Sequence, residues 1–271
     1  MTAPATDGSN ANFYDKRYSN EWRQLQDRVF SEAVDDYFGQ SSLTGTADYD
    51  RIFAWLSVGP GSRALDIACG GGAPSLRLAR STGCAVTGLD NNANAVTRAT
   101  RAASEEGLTQ LAGFVLQDGS AALPFGEASF DAVVCVDALP HLADRAHAFG
   151  EWRRVLRPGG RLVFTDLVLT GPISSEDFAR RATSGPISVA PAGYVEQQLA
   201  SAGLTLRRRE DLTPALEQSA RRHVDARARH ANELRALEGE PMFDALNRYR
   251  GIIALLARER RLSHIAFVVT K

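Results

Sequence analysis

Cysteine is scarce in this 271-residue chain, and Cys69, Cys84 and Cys135 stand singly in apolar or glycine-rich segments. The absence of any C-x-x-C pair argues against a disulfide framework or a zinc site and fits buried, reduced thiols. Charge of one sign is not in excess either: 31 Lys and Arg face 32 Asp and Glu, a net charge of −1, so no global basic field recruits nucleic acid. No stretch approaches roughly 18 uninterrupted apolar residues. Residues 1–12 are polar and small, without a basic start followed by an apolar core. The expectation is a cytoplasmic protein with neither export signal nor membrane span. Repeats and low-complexity tracts are also lacking, and 44% hydrophobic residues suffice for one large domain.

What is present centres on residues 65–75, Leu-Asp-Ile-Ala-Cys-Gly-Gly-Gly-Ala-Pro-Ser. An apolar strand pattern passes through three consecutive glycines into a helix start marked by Pro74. Glycines admit positive φ and the close approach of a ligand, and a helix start offers it free N–H groups. The next apolar run, 85–89, ends in Asp90, where a carboxylate can accept hydrogen bonds from both ribose hydroxyls of a nucleoside. A nicotinamide or flavin fingerprint wants a third small residue, and Gly70-x-Gly72-x-x-Ser75 meets that poorly. An NAD(P)-dependent oxidoreductase is therefore the lesser alternative.

With Asp66 just ahead of it, this loop resembles the D-x-G-x-G-x-G motif of class I S-adenosylmethionine (SAM) dependent methyltransferases, Ala68 standing where the family has its first glycine. The runs Leu123-Pro124-Phe125 to Ser129-Phe130-Asp131 and Leu156-Arg157-Pro158-Gly159-Gly160 resemble the ubiquinone- and glycine/sarcosine-type small-molecule members. The likeness spans about residues 48–169. It implies SAM as cofactor, with Asp66 facing its methionine part, Asp90 holding the ribose and Asp118 near the adenine. It further implies cofactor contacts from Ala68, Gly70, Gly72, Asn91, Gly119 and Val136, and from Tyr14 in the leader.

The remaining pattern agrees with an α/β fold. Strands at 63–67, 85–89, 112–116 and 132–136 alternate with helices at 74–81 and 93–106, which predicts a parallel sheet with right-handed crossovers. Further strands are predicted at 161–169, 204–212 and 264–269. In the family the last strand returns antiparallel beside the sixth, which implies a Rossmann-like, seven-stranded, mostly parallel sheet with helices on both faces. We expect one domain: an N-terminal helical lid (1–45), a SAM-binding core (46–213), a helical cap insertion with two long helical patterns (214–262) and the last strand (263–271). The lid carries a helix over 19–38 with Trp22, Leu25, Val29, Ala33 and Tyr37 on one face, and a second helix follows at 47–58. Tyr14, Tyr18 and Trp22 either present aromatic faces to the sulfonium or, for Trp22, anchor the core. A short helix is expected at 176–182.

Functional groups of open parallel sheets gather at the carboxyl ends of the strands, which places Asp137 and His141 where a substrate meets the cofactor. His141 is the candidate base by location and near-neutral pKa, its alternative being a loop-shaping residue. Asp137 and Asp166 can orient an ammonium or hydroxyl group. His147, His223, His230 and His264 read as surface or packing residues. Asp137, His141 and Asp166 have no established metal spacing, so no metal is expected. The arginines of the cap, Arg221, Arg222, Arg227, Arg229 and Arg235, read as a solvated face or, alternatively, as an anion-binding one. The expected reaction is methyl transfer to an N, O or C atom of a small molecule in secondary metabolism. The rivals are a SAM-binding protein with a regulatory or non-transfer role, and a nucleic-acid methyltransferase, which the charge balance and the absence of an Asn/Asp-Pro-Pro-Tyr/Phe-like motif at 137–140 oppose. The acceptor is thus expected to be a small molecule, with no nucleic acid or membrane partner; a homodimer is compatible with the sequence.

Overall fold

The computed structural model describes residues 20–142, 144–174 and 189–271. Its leader holds α1 (Asn20–Ala33) and α2 (Thr46–Leu56). The core follows as β1 (Arg63–Ile67), α3 (Ala73–Thr82), β2 (Ala85–Asp90), α4 (Ala93–Glu105), β3 (Ala112–Leu116), β4 (Phe130–Cys135), α5 (Arg145–Val155), β5 (Leu156–Leu169), β6 (Ala190–Pro191), α6 (Tyr194–Ser201) and β7 (Thr205–Asp211). Three helices, α7 (Thr213–Arg229), α8 (Ala231–Glu238) and α9 (Glu240–Arg258), precede the last strand β8 (Leu262–Thr270).

The sheet runs β3-β2-β1-β4-β5-β8-β7, with the two-residue β6 paired to β5 off this path. β8 lies antiparallel between β5 and β7, so the seven-stranded pattern expected from the family is present with one short addition. The central strands are buried on both faces, and their alternation divides the core in two. Val133 and Cys135 of β4 join Leu65, Phe164 and Phe267 against α5 and α6, whose Phe149, Trp152 and Leu199 complete that layer. Ala132 and Val134 point the other way, to Val163, Val268 and the helix residues Ile52, Phe53 and Leu76.

The leader and the helices between β7 and β8 share a third core, in which Phe30, Val34 and Leu43 meet Leu216, Ile252 and Leu256. Leu25, Val29, Ala226, Leu234 and Phe243 form a fourth. That fourth cluster accounts for a departure from the expected pattern: the first helical run breaks at His230 into α7 and α8, which turns Leu234 in toward Leu25 and Phe243. α1 also stops at Ala33 rather than continuing to residue 38, because Asp36 takes a positive φ of 52° that no helix accommodates. β5 begins at Leu156 rather than 161, its extra residues set off by a register shift between Phe130 and Ala132. The short helix expected at 176–182 lies outside the described residues.

The basic run of the cap is neither a uniformly solvated face nor an open anion site. Arg222 and Arg229 pair with Asp35 and Glu32, tying α7 to the leader. Arg227 is buried: its two terminal nitrogens donate to Glu238 at 2.9 and 2.6 Å and its Nε to Asn247 Oδ1 at 2.6 Å. Both members of the pair are essentially inaccessible. Removing one partner of such a pair leaves a buried charge, so Glu238→Ala should cost about 3–5 kcal/mol in denaturant unfolding. Arg80→Ala, at an exposed pair with Glu106, should change the same measurement little.

Candidate cofactor pocket and active site

The loop after β1 is built for close backbone approach. Ala68, Gly70 and Gly72 have positive φ, of 56°, 55° and 86°. At Gly72 a side chain is excluded twice, since a Cβ would also fall 2.7 Å from that of Ala99 and 3.0 Å from the Phe114 ring. α3 starts directly after it with Pro74 in its first turn, leaving the helix N–H groups facing the loop. The turn after β3 is held as tightly. A Cβ at Gly119 would lie 2.4 Å from Ile67 Cγ2, and the Gly119 carbonyl accepts a hydrogen bond from Trp152 Nε1 at 2.9 Å.

Three carboxylates border this loop and each is held differently. Asp66 is buried and its Oδ2 accepts from Ser75 Oγ at 2.5 Å. Burial pushes its pKa from 3.8 to about 7, against the Ser75 hydrogen bond and with a smaller push from Asp90. Asp90 spans two backbone donors, Gly70 N–H at 2.8 Å and Asn92 N–H at 2.9 Å, and burial raises it despite both. Asp118 is exposed and accepts from the Ser120 amide and hydroxyl at 2.8 and 2.7 Å. Asn91 is exposed beside Asp90. Leu116, at the end of β3, is 54% exposed, an apolar surface the sequence reading did not single out.

A pocket of about 260 Å³ lies beneath the loop, where Asp66, Ala68 and Val136 meet Tyr49 and Phe53 of α2. Tyr49 was missed in the sequence because nothing in a helical pattern tells which of its aromatic residues faces a strand end. A second cleft, of about 390 Å³, runs between Gly71 and Arg98 on one side and Trp22, Phe30 and Tyr37 of the leader on the other. Trp22 thus lines a cleft at the glycine loop and is also 5% exposed, so it serves packing and lining together. Tyr14 and Tyr18 lie outside the described residues.

At the end of β4 stands a second constellation. Asp137, in a left-handed conformation with φ 56°, receives Ser42 Oγ at 2.5 Å and Thr44 Oγ1 at 2.9 Å on Oδ2, and Thr165 Oγ1 at 2.9 Å on Oδ1. His264 Nε2 lies 2.8 Å from the same Oδ1 as an ion-pair contact. Burial alone would raise the Asp137 pKa; the His264 charge and the hydroxyl donors outweigh it and hold the group far below the usual carboxylate range. Burial likewise opposes the His264 cation, and Asp137, with Asp48 and Asp166 farther off, more than reverses this to raise its pKa. His264 is therefore not a surface or plain packing residue but the charge partner of a strand-end carboxylate. His223 is buried against the Phe30 ring at 4.8 Å, as a packing residue should be. Asp166 is buried with Arg145 at 2.7 Å, and burial pushes it to about 6 although Arg145 opposes the shift. His141 is exposed on the one-turn 3₁₀ segment Leu139–His141, its N–H bonded to the Ala138 carbonyl. Asp137 and His141 are thus brought to the same sheet edge as the glycine loop. Among the described residues no cluster of His, Cys, Asp or Glu has the arrangement of a metal site.

Residues 65–164 match a family model described as a methyltransferase domain. The 27-O-demethylrifamycin SV methyltransferase of Amycolatopsis mediterranei (strain S699) is 30% identical over 226 residues, 78% of this chain and 82% of that protein. The chain belongs to the class I SAM-dependent methyltransferases. Two solved structures share its fold: the cyclopropane synthase MmaA2 from Mycobacterium tuberculosis, at 22% identity and TM-score 0.82 over 96% of this chain and 98% of that one, and a Haemonchus contortus phosphoethanolamine N-methyltransferase in complex with SAM, at 19% identity and TM-score 0.80 over 99% of this chain and 61% of that one. The methyltransferase uses SAM and acts on a small molecule. The pocket fits that cofactor: the positive-φ loop and the start of α3 allow a ligand to approach the backbone closely, and a buried Asp66 that resists ionising alone suits the cationic ammonium and sulfonium of SAM. No described helix is long and apolar enough to cross a membrane.

The raised pKa of Asp66 makes stability depend on pH in a defined direction. The folded, ligand-free protein keeps a proton that the unfolded chain releases, so this contribution is fully present below about pH 4 and lost as pH rises through about 7. Asp66→Asn should accordingly stabilise the ligand-free methyltransferase by about 1–3 kcal/mol at pH 8 and little at pH 4, while weakening SAM binding. Thermal melts at both pH values, with calorimetric SAM titrations, check this.

Proposed function

We propose that this methyltransferase delivers the methyl group of SAM to a hydroxyl oxygen of a small molecule of secondary metabolism. The observation that carries the reading is the extended similarity to 27-O-demethylrifamycin SV methyltransferase, whose name places its methyl group on an oxygen. In this reading Asp66, the Gly70–Gly72 backbone, Asp90 and Asp118 bind the cofactor. Ala68, Asn91, Gly119, Val136 and Tyr14 complete its surroundings. When bound, SAM supplies an electrophilic methyl carbon on a sulfonium that departs as a neutral thioether. Tyr49 and Phe53 keep the neighbouring pocket dry, and holding a nucleophile in line there accounts for much of the rate. His141 accepts the proton of the acceptor hydroxyl. Asp137 has its carboxylate surrounded by Ser42, Thr44, Thr165 and His264, and contributes by position rather than by proton transfer.

The same proposal takes the chain as one domain with a lid at 1–45 and a cap at 214–262. It works in the cytoplasm, as a monomer or homodimer, without a nucleic-acid partner. Release of S-adenosylhomocysteine during incubation with SAM and a panel of hydroxylated polyketides, phenols, amines and carboxylates tests it. Release with hydroxyl-bearing acceptors supports the assignment; release with amines alone overturns it. SAM binding with no release across the panel would favour the rival reading, a SAM-binding protein with another role. On an accepted hydroxyl substrate, His141→Ala should lower turnover by about 10²–10⁴ and leave SAM affinity unchanged.

A further inference from the structure

We propose that Asp137 and His264 form a latch that holds residues 42–44 of the leader at the cofactor pocket, which makes His264 a positioning residue for methyl transfer. Asp137 directly follows Val136, which lines the pocket. Its backbone is pinned by a hydrogen bond from its own N–H to Thr165 Oγ1 at 2.8 Å, in a left-handed conformation with φ 56°. Its carboxylate is the point onto which the leader folds. Ser42 and Thr44 both donate to Oδ2, and the Thr44 N–H returns to Ser42 Oγ at 2.9 Å, so a three-residue turn closes around one charged oxygen. Buried Gln40 ties the same turn from behind, donating to the Thr44 carbonyl at 3.2 Å.

The turn leads straight into α2, whose Tyr49 and Phe53 form the pocket wall opposite Val134 and Val136. A loosened turn would therefore move the wall. The position of His264 explains how the charge at its root is sustained. Among the described groups around it, Asp48 on α2 is paired with Arg51, Asp166 on β5 with Arg145, and Asp211 on β7 with Arg260, while Tyr49 is held neutral by burial. The imidazole is left as counter-charge to Asp137. Its backbone N–H donates to Thr213 Oγ1 at 3.0 Å, where α7 begins, so the latch is anchored at the junction of sheet and cap.

The proposal rests on the cofactor and not on which acceptor atom is methylated. It is tested with S-adenosylhomocysteine as probe and two variants: His264→Gln, which removes the counter-charge, and the double variant Ser42→Ala/Thr44→Val, which leaves the ion pair intact and removes the leader's donors. Amide exchange at residues 42–46 should accelerate about tenfold or more in either variant, with exchange in β1–β4 as in the parent. S-adenosylhomocysteine affinity should fall about tenfold. Parent affinity should weaken as pH rises through the raised pKa of His264, and that loss should be absent in His264→Gln; titration of Asp66 and Asp90 is common to both proteins and cancels in their difference. Parent-like exchange at 42–46 in the variants overturns the latch, as does faster exchange spread evenly over the sheet, which would mark a packing role. Should His264→Gln fail to fold, the double variant decides alone. A parent that binds no S-adenosylhomocysteine would contradict the cofactor, while the exchange comparison would still decide the latch.

Discussion

Negative charge gathered along one edge of a buried sheet is the constraint on which this methyltransferase depends. Asp66, Asp90, Asp137 and Asp166 stand at or near the carboxyl ends of β1, β2, β4 and β5, where apolar strands give out. A carboxylate withdrawn from water must find protons, donors or a cation. Each of the four is answered differently: Asp66 by one serine and a raised pKa, Asp90 by two backbone amides, Asp137 by three hydroxyls and an imidazole, Asp166 by an arginine. Asp66 and Asp90, both raised by burial, border the glycine loop. Asp137, the one whose partners outweigh its burial, and Asp166, held by Arg145, organise the structure around them.

That division explains why the leader and the last strand matter to the site although neither belongs to the nucleotide-binding half of the sheet. β8 is inserted antiparallel between β5 and β7, which sets His264 opposite Leu167 and within reach of the end of β4. The leader approaches the same carboxylate from above through Ser42 and Thr44. A shared apolar core of Phe30, Leu43, Leu216 and Ile252 then fastens leader to cap, and the surface pairs of Glu32 and Asp35 with Arg229 and Arg222 add little energy but agree with that orientation. Leader, cap and sheet edge are thus joined by two shared apolar clusters and by the buried polar contact at Asp137.

Local signals carried the nucleotide-binding half of the protein. Apolar strand runs, the stretch from Asp66 to Pro74 and the acidic residues that follow the second and third strand runs are contiguous in sequence, and the backbone geometry they demand is short-ranged: a turn with positive φ, a helix start, a strand end. For that reason the parallel core, the glycine loop and the positions of Asp66 and Asp90 were legible from residues alone, as was the antiparallel last strand from family likeness. What only the tertiary structure decided are relations between segments far apart in the chain. His264 stands 127 residues beyond Asp137 and Ser42 stands 95 before it, and no periodicity announces that an imidazole in the last strand will face a carboxylate at the end of the fourth. Arg227 looked like its solvated neighbours until Glu238 was brought beneath it, and α7 and α8 looked continuous until Leu234 had a core to enter. A sequence states which side chains are apolar or charged and at what local spacing; which charge meets which counter-charge is settled by packing, because burial makes the pairing obligatory only once the fold has removed the water.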